Sequence, residues 1–89
     1  METQEARLKR MAMRSWRRGT KEMDLILGPY ADAYLATLDE SDLSLYDAVL
    51  EENDQDLYAM ITGQQDCPPK LAPLLEKIGK FARGRWAAG

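Results

Sequence analysis

The chain has no histidine and a single cysteine among its 89 residues. Without histidine it lacks the side chain most used for proton transfer near neutral pH and the commonest neutral metal ligand. Ser-His-Asp and Cys-His catalytic arrangements are therefore excluded. One cysteine closes no internal disulfide, which suits a reducing compartment. β-Branched residues are few, and no apolar/polar alternation exceeds three or four residues, so strand signals are poor. No stretch approaches the ~18 consecutive apolar residues that mark a membrane-spanning helix. Internal repeats and low-complexity segments are absent from the sequence.

Positive charge is missing from the middle of the chain. Residues 23–69 carry eleven Asp or Glu and no Lys or Arg, whereas residues 1–22 and 70–89 each carry a net +4. The whole is acidic, with net charge −3. The length allows one small domain, residues 1–89. At 45% hydrophobic the chain is too apolar for general disorder. Arg7, Lys9, Arg10, Arg14, Arg17 and Arg18 resemble a mitochondrial presequence in charge, but Glu2 and Glu5 argue against one. The chain is expected to start near its mature N-terminus in the cytoplasm, with an organelle matrix as the fallback.

What is present is helical spacing. The first helix is expected over about Gln4–Trp16, with Leu8, Met11 and Trp16 as its apolar positions and Gly19 at the turn. Thr20 is a plausible N-cap for Lys21–Leu38, where Met23, Ile26, Leu27, Tyr30, Tyr34 and Leu38 form one continuous face. Gly28-Pro29 interrupts that face without changing its phase, which predicts a kinked helix or two abutting ones. Further helices are expected at about Asp42–Glu52, at Asp54–Thr62 with Leu57, Tyr58 and Ile61 inward, and at Lys70–Trp86. Gly63 fits a C-cap, Pro73 is tolerable in a first turn, and Gly79, Gly84 and Gly89 suggest a fraying end. The expected fold is all-α, a small single-domain bundle of about five helices.

Catalytic chemistry finds little support. Cys67 precedes two prolines and has no basic neighbour nearer than Lys70, whereas reactive thiols need an electropositive setting. The carboxylates of residues 39–56 read as solvated helix faces and caps. Neither Asp39-Glu40-Ser41-Asp42 nor Glu51-Glu52-Asn53-Asp54 follows the EF-hand pattern. No glycine loop cradles a phosphate. The basic N-terminal residues, with Trp16 among them, could meet a nucleic-acid backbone. In an acidic chain they are more simply explained by attraction to the acidic middle or to a complementary partner.

One constellation stands apart: Arg17-Arg18-Gly19-Thr20-Lys21-Glu22-Met23-Asp24. Basic residues at a helix end followed by a capping Thr and acidic residues suit both helix dipoles. Two arginines beside a glycine at an exposed corner also suit an interface, because arginine binds carboxylates bidentately and glycine permits close approach. Structure and interface remain open on these residues alone.

These residues resemble the SdhE family, also called succinate dehydrogenase assembly factor 2, whose motif is RGxxE. Arg18-Gly19-x-x-Glu22 matches it, and Leu50-Glu51-Glu52-Asn53-Asp54-Gln55-Asp56-Leu57-Tyr58 resembles the family's second signature. The likeness covers about residues 7–80. It implies a FAD assembly factor, not an enzyme, that binds the flavoprotein subunit of succinate dehydrogenase, and in some bacteria of fumarate reductase, and promotes its covalent flavinylation. It also implies that FAD is carried by the partner, with no cofactor, metal, membrane or nucleic acid bound by this chain, which is expected to be a monomer. Carried across, Arg18 would make a polar contact to the flavoprotein and Gly19 would allow close approach. Glu22 would hold the corner or make a second contact, with Arg17 and Asp24 as weaker additions. Gly19→Arg or Arg18→Ala would then leave the bundle folded but lower covalent flavin on the partner subunit. Met60 stands where many members have tryptophan, and the last helix matches only in pattern.

Overall fold

In the computed structural model, residues 2–88 are described, with side chains as far as Arg85. The helices are α1 (Gln4–Trp16), α2 (Lys21–Tyr34), α3 (Glu40–Glu51), α4 (Asp54–Ile61) and α5 (Ala72–Ala88), with a 3-10 turn at Leu35–Thr37. No strand occurs among the described residues. The all-α bundle expected from the sequence is therefore the observed fold.

Short polar side chains start the first four helices. Thr3 accepts from the Ala6 amide at 3.0 Å, Thr20 from Met23 at 3.3 Å, Asp39 from Asp42 at 2.8 Å and Asn53 from Asp56 at 2.8 Å. Each satisfies an amide that the helix itself leaves without a partner. Because Asp39 is the cap, α3 begins at Glu40, two residues before the expected start. At the end of α4, Gly63 takes the left-handed φ of +83°, as its C-cap assignment requires. Pro68 O accepts from the Leu71 and Ala72 amides, so a turn precedes α5 and the helix begins at Ala72, not Lys70. α5 runs on through Gly84, and Gly89 lies outside the described residues.

α2 runs unbroken through Gly28-Pro29, so the alternative of two abutting helices does not hold. Gly28 has a packing reason, since a Cβ there would overlap the Trp16 ring. The indole lies against α2 and donates from Nε1 to the Asp32 carboxylate at 3.2 Å. Trp16 is thus a half-exposed brace between α1 and α2, not a core residue.

The core gathers Met11 from α1, Met23, Ile26, Leu27 and Tyr30 from α2, Leu43, Tyr46, Val49 and Leu50 from α3, and Leu57 and Met60 from α4. α5 adds Leu74, Leu75, Ile78 and Ala82. Two expected inward residues are exposed: Tyr34, where α2 gives way to the 3-10 turn, and Tyr58, one residue after buried Leu57 and so turned to the other side of α4. Met60 is buried, so a methionine at that position packs in the core.

Ionic pairs run along the seam between α1 and α3. Arg7 pairs with Glu40 at 2.8 Å, Arg10 with Asp47 at 3.3 Å and Arg14 with Glu51 at 2.9 Å. Residue numbers rise together on both sides, so the two helices run parallel. These pairs are largely exposed and contribute about 0–1 kcal/mol each, but they fix which face of the basic helix meets the acidic middle.

Within the core, Ser15 donates to Met11 O at 2.8 Å, and its Oγ lies 2.6 Å from the Tyr46 hydroxyl. Burial pushes the Tyr46 phenol up to about 12 from 10, partly opposed by the Ser15 hydrogen bond. A raised folded value means this stabilisation is whole below about pH 10 and is lost as pH rises towards 12. Wild type is expected to lose on the order of 2 kcal/mol more than Tyr46→Phe over that interval. Urea denaturation of both proteins at a series of alkaline pH values checks this, and parallel losses would contradict it.

Candidate functional site at the α1–α2 corner

α1 ends at Trp16, and Arg17 caps it with φ −126° and ψ 54°. Arg18 and Gly19 carry the chain to Thr20, whose extended backbone and capping hydroxyl start α2. Four residues therefore turn the chain between two helices.

The corner is held from within. The Arg18 Nε donates to Asp54 Oδ1 at 2.8 Å, one terminal nitrogen to Leu50 O at 2.9 Å and the other to Glu52 O at 2.7 Å. The guanidinium thus ties together the end of α3, the linker and the start of α4 through three acceptors. The Gly19 amide donates to the second Asp54 oxygen, and the Arg18 amide donates to the Asp24 carboxylate. Asp54 therefore bridges the Arg18 side chain and the Gly19 backbone. The side chains of Arg18 and Asp54 are only 9% and 15% exposed. Charge-assisted bonds of this kind, largely shielded from water, are stronger than neutral ones.

Gly19 has no positive φ. Its reason is proximity, since a Cβ would lie 2.9 Å from Asp54 Oδ2. The glycine admits Asp54 of this chain.

The direct contact expected from Arg18 to a partner would have to come from a side chain that is also engaged within this chain. Each of its three guanidinium nitrogens already donates within the chain. Asp24 likewise braces the corner through the Arg18 amide. Arg17 and Glu22 differ. Both are exposed, and neither forms an ion pair among the described residues. Glu22 lines an open groove of about 320 Å³ with Thr20, Asp54, Gln55 and Tyr58. The five residues picked from the sequence thus form one corner, with Arg18, Gly19 and Asp24 holding it and Arg17 and Glu22 facing outward.

Asp54 received no role from the sequence, although it lies in the second signature. Its signal was the presence of two signatures, which the fold brings into contact. Tyr58 was missed because helical spacing placed it inward.

Residues 9–82 match the family model of Sdh5, flavinator of succinate dehydrogenase. The chain belongs to that family. The family is the one that the RGxxE resemblance indicated. No individually curated protein matches the chain significantly. No group of three or more His, Cys, Asp or Glu suited to hold a metal occurs among the described residues. None of the described helices is long and apolar enough to cross a membrane. Of the seven basic residues in the first 22, Arg7, Arg10, Arg14 and Arg18 are paired with carboxylates. That pairing offsets part of the positive charge at the start of the chain.

Proposed function

We propose that this member of the flavinator family binds the flavoprotein subunit of succinate dehydrogenase and promotes covalent attachment of its FAD, with the fumarate reductase flavoprotein as a second target. The observation that carries this is the division of labour at the corner. Asp54 joins Arg18 and Gly19 into one fixed turn, and Glu22 is displayed beside it in an open groove. Glu22, with Arg17 next to the turn, makes the polar contact, while Arg18, Gly19 and Asp24 keep its position.

The chain acts by population shift and not as an enzyme. It binds the flavoprotein conformation in which the flavin bond forms better than the others and so raises that fraction. FAD and the residue that accepts it belong to the partner, and this chain holds no cofactor of its own. It acts as a monomer in the cytoplasm, through a transient interface of about 1,200–1,600 Å².

Purified flavoprotein subunit loaded with FAD tests this directly. Flavin fluorescence on a denaturing gel should rise faster with the chain present than without it. Equal rates would overturn the proposal, and running the fumarate reductase subunit in parallel separates the two targets.

A further inference from the structure

α2 carries a second feature at its other end. Tyr34 lies twelve residues after Glu22, about 18 Å along the helix. Here Tyr30, Tyr34, Leu38 and Phe81 line an open recess of about 520 Å³ together with Lys77 and Lys80. The rings are packed on one another. Tyr34 lies 5.0 Å from Tyr30 and 5.3 Å from Phe81, centroid to centroid, and stays 42% exposed. Arg85 stands 6.0 Å from the Phe81 ring centre.

The positive charge of this face is only partly compensated. Lys77 forms no ion pair among the described residues. Lys80 meets Glu76 at 3.4 Å, both well exposed, which is a weak restraint. The nearby Asp32 carboxylate already receives the Trp16 indole. Aromatic rings fixed by their neighbours beside one unpaired and one weakly held lysine suit an acidic polypeptide that brings an apolar side chain. An anionic lipid surface fits less well. Leu74, Leu75, Ile78 and Ala82 of α5 are buried, so α5 keeps no apolar stripe to insert among the described side chains, and the recess beside it is concave.

We propose that this face is a second contact for the flavoprotein subunit. An acidic segment of that subunit places an apolar side chain in the recess and its carboxylates against Lys77 and Lys80. The inference rests on the proposed function above and adds a grip at the far end of α2, which fixes the orientation as well as the site of docking.

Calorimetric titration of the purified FAD-loaded flavoprotein with the full chain tests it. The variant Lys77→Glu/Lys80→Glu should bind about tenfold more weakly or worse. Its melting temperature should be unchanged, and Lys9→Glu should bind as wild type does. Tyr34→Ala, checked for folding by circular dichroism, should also weaken binding. If wild type binds but Lys77→Glu/Lys80→Glu binds equally well, the second contact is overturned and the proposed function stands. If wild type does not bind, both fall. Sedimentation with phosphatidylserine-containing vesicles that depends on these lysines would make the face a lipid contact and overturn the proposal. Lysine-dependent dimerisation in light scattering would overturn it likewise.

Discussion

Asp54→Ala is expected to cost roughly 2–3 kcal/mol of folding stability, because it leaves a largely shielded arginine without its counter-charge. Arg18 is 9% exposed, and its guanidinium could not turn to water without releasing Leu50 O and Glu52 O. The same substitution also removes the acceptor of the Gly19 amide. Arg18→Ala should be comparably severe, since it strands Asp54 and takes the side-chain donor from Glu52 O, while Leu50 O keeps the Arg14 guanidinium. A domain of this size is stable by only about 5–15 kcal/mol, so either change removes a large share. Urea denaturation followed by far-UV circular dichroism measures the loss. The outcome expected from sequence alone is a folded Arg18→Ala protein with lowered flavinylation; the largely shielded pair argues that the same change also costs stability.

Glu22→Lys is expected to have the opposite profile. Glu22 is exposed and unpaired among the described residues, in the first turn of α2. Losing its favourable position at the helix N-terminus costs about 0.3–1 kcal/mol, and the bundle should stay folded. Covalent flavin formed on the flavoprotein should nevertheless fall by about tenfold or more, the scale set by a reversed charge at a contact. Denaturing-gel flavin fluorescence, read beside a thermal melt, checks both halves. Normal flavinylation by folded Glu22→Lys would remove Glu22 from the docking surface. Gly19→Arg separates nothing, because its Cβ already crowds Asp54 and its effects on folding and docking arrive together.

Helix positions were legible in the sequence because their signals are local. Thr20, Asn53 and Gly63 act within a few residues of themselves, and the apolar spacing of α2 survives Pro29. The misplacements have equally local causes. Tyr58 and Tyr34 continue a plausible period, but one sits beside the buried face and the other is the last residue of α2. The corner was found as a set of residues, yet its internal roles could not be read. Arg18 and Asp54 are 36 positions apart, and only the fold shows that the guanidinium is used inside the chain. Charge patterning did foreshadow part of this. A basic start and an acidic middle predicted attraction, and the α1–α3 seam is where it occurs.

The most direct test is a double-mutant cycle on Arg18 and Asp54. Wild type, Arg18→Met, Asp54→Ala and the double variant would be unfolded in urea, with sucrose present to keep the weaker variants folded at the start. Residues that share one buried pair couple by up to about 3 kcal/mol, whereas independent ones add to within about 0.5 kcal/mol. An internally held corner predicts a double variant about 2–3 kcal/mol more stable than the sum of the single losses implies. Additive losses would contradict it and return Arg18 to the docking surface as a direct contact.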